Sequence, residues 1–171
     1  MPFPETILDQ FRSVNHSTTD ESEYYGPYTS LLTDLFPHDE NFQVVPQLKG
    51  PTFLDTLDFT IIFVVMKQKV PVFFIEIKPY DDLQSNIRRG DADEQMRRRF
   101  RNLLGSLPIP KLYGASAMGT RLSIYEYTKA TGILLPPAIT RDLIVVNKYV
   151  APQEHWKYDL LEAEVGNSGG N

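Results

Sequence analysis

Two runs of β-branched and aromatic residues, Leu57–Met66 (LDFTIIFVVM) and Val70–Lys78 (VPVFFIEIK), constrain this chain more than any other feature. Only the polar link Lys67-Gln68-Lys69 separates them, so together they predict a β-hairpin. Their apolar residues fill consecutive rather than alternate positions, the pattern of strands buried on both faces. Such strands need helices over them. Tyr24, Tyr28, Leu31, Leu32 and Leu35 fall at helical spacing between Asp20 and Phe36, with Pro27 in the first turn or at a kink. Met96, Phe100, Leu103 and Leu107 form a second helical stripe within Asp91–Leu107. Further strands are expected at Phe42–Pro46, Leu112–Ala117, Arg121–Thr128, Gly132–Leu135 and Leu143–Val150, with a short helix over Gln153–Glu164. The sum is an α/β fold, a central mixed β-sheet flanked by helices.

A chain of 171 residues, 42% hydrophobic, can bury one core without staples. Residues 1–19 read as a polar N-terminal arm, 20–164 as a single domain, and 165–171 (VGNSGGN) as a flexible tail. The absence of cysteine excludes a disulfide scaffold, a thiolate zinc site and a cysteine nucleophile. His16, His38 and His155 lie too far apart for a histidine metal site. The net charge of −5 argues against a wholly basic nucleic-acid coat protein, though not against a local basic patch. No apolar run approaches the roughly 20 residues that span a bilayer, and MPFPETILDQ carries no leader pattern. The expectation is an intracellular protein of nucleus or cytoplasm, away from membranes.

Two carboxylates and a lysine stand at the ends of the apolar strands. Asp58 opens the first, and Glu76 and Lys78 close the second. Side chains alternate along a strand, so Glu76 and Lys78 share one face while Ile75 and Ile77 share the other. An antiparallel hairpin brings the start of one strand beside the end of the next, so Asp58 and Glu76 are expected to meet at one edge. Charges in such apolar surroundings are costly unless paired or bound to a metal. Two carboxylates repel, and a hard divalent cation relieves that repulsion while accepting oxygen ligands. Mg²⁺ suits the site chemically, with the Ile77 backbone carbonyl near the same ion and Lys78 placed to orient water or to stabilise charge on a phosphate. The competing structure is an Asp58–Lys78 ion pair capping the sheet, with Glu76 solvated.

An acidic residue, a hairpin and then Glu-x-Lys at a strand end resembles the PD-(D/E)XK nuclease superfamily. The resemblance covers about Asp20 to Tyr127, with Leu57 rather than proline before Asp58. It implies a restriction-endonuclease-like fold, Asp58 and Glu76 as ligands of Mg²⁺ or Mn²⁺, and Lys78 as the catalytic lysine. It also implies an acidic residue on the helix before the hairpin, for which Glu21 and Glu23 are both candidates. Glu21 is favoured because it shares a helical face with Tyr24, Tyr28 and Leu31. A glutamine on the following helix is implied too, and Gln95 in ADEQMRRRF matches it. The activity implied is metal-dependent hydrolysis of phosphodiester bonds, in DNA before RNA, and cutting both strands of a duplex admits a homodimer. The cadence YYGPYTSLLTDLFP…IEIKP…LYGASAMGTRLSIYEY also resembles multicopy proteins of mushroom-forming fungi, which adds no mechanism.

Arg88, Arg89, Arg97, Arg98, Arg99 and Arg101 place six of nine arginines in a 14-residue window. With Met96, Phe100 and Leu103 inward, Arg97 and Arg101 fall on the outer face, and Arg98 and Arg99 flank the core stripe. Guanidinium groups match phosphate geometry, so Arg97, Arg98, Arg99 and Arg101 are the expected nucleic-acid contacts. A solvated face balanced by Asp91, Asp93 and Glu94 is the bland alternative. The runner-up function keeps the fold without the chemistry, as a module binding nucleic acid or protein. A third, an interaction protein using its acidic start, rests on eight acids against Arg12 alone in residues 1–40.

Overall fold

The computed structural model describes residues 3–49, 60–104, 107–139 and 151–162. The expected strand at 143–150, the tail at 165–171 and the end of the 153–164 helix therefore lie in whole or part outside the described residues. Among the described residues three α-helices, α1 (Glu5–Arg12), α2 (Tyr25–Leu35) and α3 (Asn86–Leu103), accompany seven strands. The strands are β1 (Phe42–Lys49), β2 (Thr60–Lys67), β3 (Val70–Lys78), β4 (Lys111–Met118), β5 (Arg121–Thr128), β6 (Ile133–Leu135) and β7 (Tyr158–Asp159). They form one mixed sheet in the order β1-β2-β3-β4-β5-β6, with β7 pairing β5. β3 and β4 are parallel and every other pair is antiparallel. Parallel neighbours need a crossover, and α3 supplies it. Among the described residues no helix is long and apolar enough to cross a membrane.

The β2–β3 hairpin closes at Lys67↔Val70, with Gln68 and Lys69 both at positive φ (50° and 67°). Two left-handed central residues give the turn whose twist matches a two-residue hairpin. Ile62, Phe63, Val64 and Val65 are all buried, so consecutive side chains do feed two cores. On one side Phe63, Val65, Ile75 and Ile77 pack under α1 and α2, against Phe11, Tyr28, Leu31 and Leu32. On the other, Ile62, Val64 and Phe74 pack under α3, against Met96 and Phe100. β1 is an edge strand, which is why Pro46 can sit within it.

Three expectations need correction. The N-terminal 19 residues are not an arm: Ile7, Leu8 and Phe11 give α1 a buried face, and Ile7, Phe11 and Val14 join the main core. The second helix starts earlier than expected, at Asn86, because the Ser85 hydroxyl accepts from the Arg88 amide and caps it. After Pro152 the chain makes only a 3-10 turn, Gln153–His155, before β7 pairs with Arg121 and Leu122. There the Arg121 Nε donates to the Trp156 carbonyl at 2.8 Å, and buried Trp156 packs with Leu83, Ala92 and Met118.

Gly114 shows how tightly the α3 face is filled. A Cβ there would lie 2.9 Å from Phe74 Cε1 and 3.0 Å from Phe100 Cζ, both rings being buried. Gly114→Ala should therefore cost about 1–3 kcal/mol, seen as a lower urea midpoint at unchanged slope.

Candidate functional site

The last residues of β3 carry the site. Ile75 and Ile77 point into the core under α1 and α2, so alternation sends Glu76 to the opposite face, toward α3. There Glu76 is 2% exposed, and neither carboxylate oxygen has a hydrogen-bond partner. Three charged groups surround it without closing on it. Lys78 Nζ lies 3.8 Å from Oε1, and Arg99 Nε, reaching from α3, lies 3.7 Å from Oε2. Lys78 Nζ is also 3.9 Å from Glu21 Oε2, on the 3-10 turn Glu21–Tyr24 that leads into α2. The charges alternate in the order Glu21, Lys78, Glu76 and Arg99.

These separations exceed those of closed charge-assisted hydrogen bonds, about 2.7–2.9 Å, and are of the kind that a bridging water spans. Burial pushes the Glu76 carboxyl above its ordinary range, while Lys78 and then Arg99 pull it back less strongly. Glu21 is held from behind: the Tyr25 hydroxyl donates to its Oε1 at 2.7 Å, leaving Oε2 for the lysine. Tyr25 is raised well above the ordinary phenol value, by burial first and by Glu21 second. Gln95 lies four residues before Arg99, on the same side of α3, and its Oε1 is buried without a partner.

The backbone contributes as well. The Lys78 carbonyl accepts from the Gly119 amide at 2.9 Å on the β4 side. Carbonyls alternate along a strand, so that of Ile77 points toward β2. The register of β2 on β3 runs only to Ile62↔Glu76, so Ile77 lies one residue past it.

The sequence-predicted residues separate into three groups. Glu21, Glu76 and Lys78 come together, and Gln95 lies one helical turn before Arg99. Glu23 does not join: it is exposed and accepts from the Thr18 hydroxyl at 3.0 Å. Asp58 lies outside the described residues.

The arginines do not form one face. Arg98 and Arg101 are exposed, whereas Arg97, expected outermost, is turned inward. Its Nε donates to Asp93 Oδ2 at 2.9 Å and its Nη2 to the Pro136 carbonyl at 2.8 Å. Arg97 is thus committed to the fold and is removed from the nucleic-acid contacts. Arg88 pairs with Asp82, and buried Arg89 donates to the carbonyls of Ala151 and Leu83. Arg99 and Tyr25 gain places at the site that their types alone did not give them. The four-residue step from Gln95 to Arg99 is the sequence signal that would have placed Arg99 there.

The donors here are hard oxygens, the type that a divalent cation such as Mg²⁺ prefers. Both Glu76 oxygens and Gln95 Oε1 are buried and unpaired, and Glu21 Oε2 makes no direct hydrogen bond. Among the described residues no three acidic, histidine or cysteine side chains cluster closely enough to hold a metal alone. Mg²⁺ commonly takes one or two carboxylates and keeps several waters, so the pair Glu21 and Glu76 is compatible with it. Comparison with family models, curated proteins and solved structures finds no match for this chain.

Proposed function

We propose that this protein is a divalent-metal-dependent nuclease of restriction-endonuclease-like fold, hydrolysing phosphodiester bonds in DNA before RNA. The observation that carries the proposal is the buried Glu76 carboxylate, both oxygens unpaired, with Lys78 and Arg99 poised at its two edges. Burying a carboxylate that way is costly for folding and is explicable where the oxygens serve a ligand.

Glu76, Glu21, the Ile77 carbonyl and Asp58 are the groups that would hold Mg²⁺ or Mn²⁺. When bound, the ion would supply Lewis-acid stabilisation of phosphate charge and a more acidic water. The chain's own residues do the rest. Lys78 Nζ, between two carboxylates, orients a water for in-line attack and offers positive charge to the phosphate oxygens. The water gives up a proton to solvent as its oxygen forms a bond to phosphorus, the bond to the leaving oxygen breaks, and that oxygen takes a proton from solvent. Tyr25 keeps Glu21 turned toward the lysine. Cutting both strands of a duplex would need two such sites, which a homodimer would provide.

The test is cleavage of plasmid DNA and of an RNA oligonucleotide with Mg²⁺, Mn²⁺ or EDTA. Wild type is expected to cut only with metal, and Lys78→Ala should cut about 100-fold more slowly or worse. A wild type inert on both polymers, or an unimpaired Lys78→Ala, defeats the proposal. The balanced charges of Glu21, Lys78, Glu76 and Arg99 also suit a binding module without catalysis, which would fail this assay while still holding nucleic acid.

A further inference from the structure

We infer that Arg99 is the residue that grips the substrate phosphate at this site, a role distinct from that of the exposed arginines on the same helix. The inference rests on the proposed nuclease function for its substrate class, a phosphodiester backbone, but stands on separate observations.

Arg99 differs from every other arginine of α3. Arg88, Arg89 and Arg97 end in hydrogen bonds to the protein, and Arg98 and Arg101 lie in solvent. The Arg99 side chain is only 17% exposed, and its single charged neighbour among the described residues, Glu76, lies beyond hydrogen-bond distance. Its Nε is enclosed and unpartnered. Its two terminal nitrogens make no hydrogen bond to described residues and, unlike Nε, are not enclosed, so they reach solvent.

A guanidinium serving only to neutralise Glu76 would close a bidentate pair on it. At 3.7 Å from one oxygen, through Nε, Arg99 does not. The geometry instead leaves the paired terminal donors for a planar or tetrahedral oxyanion, and phosphate fits that fork. Lys78 stands at the other oxygen of the same carboxylate, so a phosphate bound by the Arg99 fork would have a second positive charge nearby. α3 fixes the fork rigidly, because Met96 and Phe100 beside it are buried.

The test measures binding without cleavage. Fluorescein-labelled 12-nucleotide DNA, single-stranded and duplex, is titrated in EDTA with wild type, Arg99→Gln, Arg99→Lys and Arg101→Gln, across a salt series. Arg99→Gln should bind about tenfold more weakly, with the slope of log affinity against log salt smaller by about one. Arg99→Lys should keep the slope but lose about threefold or more in affinity, since it retains charge without the fork. Arg101→Gln should lose less than Arg99→Gln.

A folded Arg99→Gln within about twofold of wild type overturns the inference, as does an Arg101→Gln loss equal to or larger than that of Arg99→Gln. Should Arg99→Gln not fold, Arg99→Lys decides: affinity equal to wild type overturns it. A wild type that binds neither probe overturns it too. A wild type that binds through Arg99 yet never cuts defeats the nuclease proposal alone. A wild type that cuts while both Arg99 variants bind and cut normally defeats the Arg99 inference alone.

Discussion

Asp93→Ala is expected to destabilise the protein by about 3–5 kcal/mol, the penalty of breaking a buried charge pair from one side. Asp93 is fully buried on α3, facing the sheet rather than solvent. Its Oδ2 accepts from Arg97 Nε, and its Oδ1 accepts from Arg97 Nη2 at 3.2 Å and from the Tyr125 hydroxyl at 2.5 Å. Removing the carboxylate leaves a largely enclosed guanidinium and a buried phenol without this acceptor. Tyr125 is held far above the ordinary phenol value, by burial first and Asp93 second, so it stays a donor throughout the working pH range. Urea melts should show the full loss for Asp93→Ala and a smaller one for Asp93→Asn, which keeps an oxygen for Tyr125. A loss under about 1 kcal/mol for the alanine would mean that water replaces the carboxylate freely.

Glu76→Gln should act in the other direction. Because burial raises the Glu76 carboxyl, the folded state holds its proton more tightly than the unfolded chain. This contribution to stability is therefore full below the ordinary glutamate value of 4.5 and shrinks as pH rises through the folded value. Above that value the ionised carboxylate is a standing cost. Glutamine has no such titration, so the variant should be the more stable of the two at pH 8, with the gap closing toward pH 4. Thermal melts across pH measure it, and an equal or lower melting temperature for the variant at pH 8 contradicts it. Adding Mg²⁺ should then raise the wild-type melting temperature and leave Glu76→Gln unmoved, since only a native-state ligand shifts the equilibrium. A binding module without a metal would show the pH effect and no metal effect.

The parts of this structure legible in the sequence are those governed by period. Alternation along VPVFFIEIK puts Ile75 and Ile77 on one face and Glu76 on the other, and the helical spacing of Tyr24, Tyr28 and Leu31 selects Glu21 over Glu23. Period fails where polar residues hold core positions. Arg89 and Asp93 are buried on α3, but no apolar stripe includes them, and by period alone Arg97 falls outward although Asp93, itself a buried polar residue, and Pro136, 39 residues away, hold it inward. α1 escaped notice because so short a helix shows few apolar positions. The site depends on distant segments too: Glu21 reaches Lys78 only once the chain before β1 has folded back over the sheet.

That fold-back joins residues far apart in the order of synthesis. The Tyr28 hydroxyl donates to the Gly119 carbonyl at 2.5 Å, across 91 residues. At a ribosomal pace of about 5–20 residues per second, the first two helices emerge several seconds before Gly119 exists, and longer still before Leu160, which joins the same core. During that interval Phe11, Tyr28 and Leu31 have no complete surface to cover. Newly made chains are thus open to chaperone capture or clumping until the later segments that complete this core, Gly119 and then Leu160 among them, have left the ribosome.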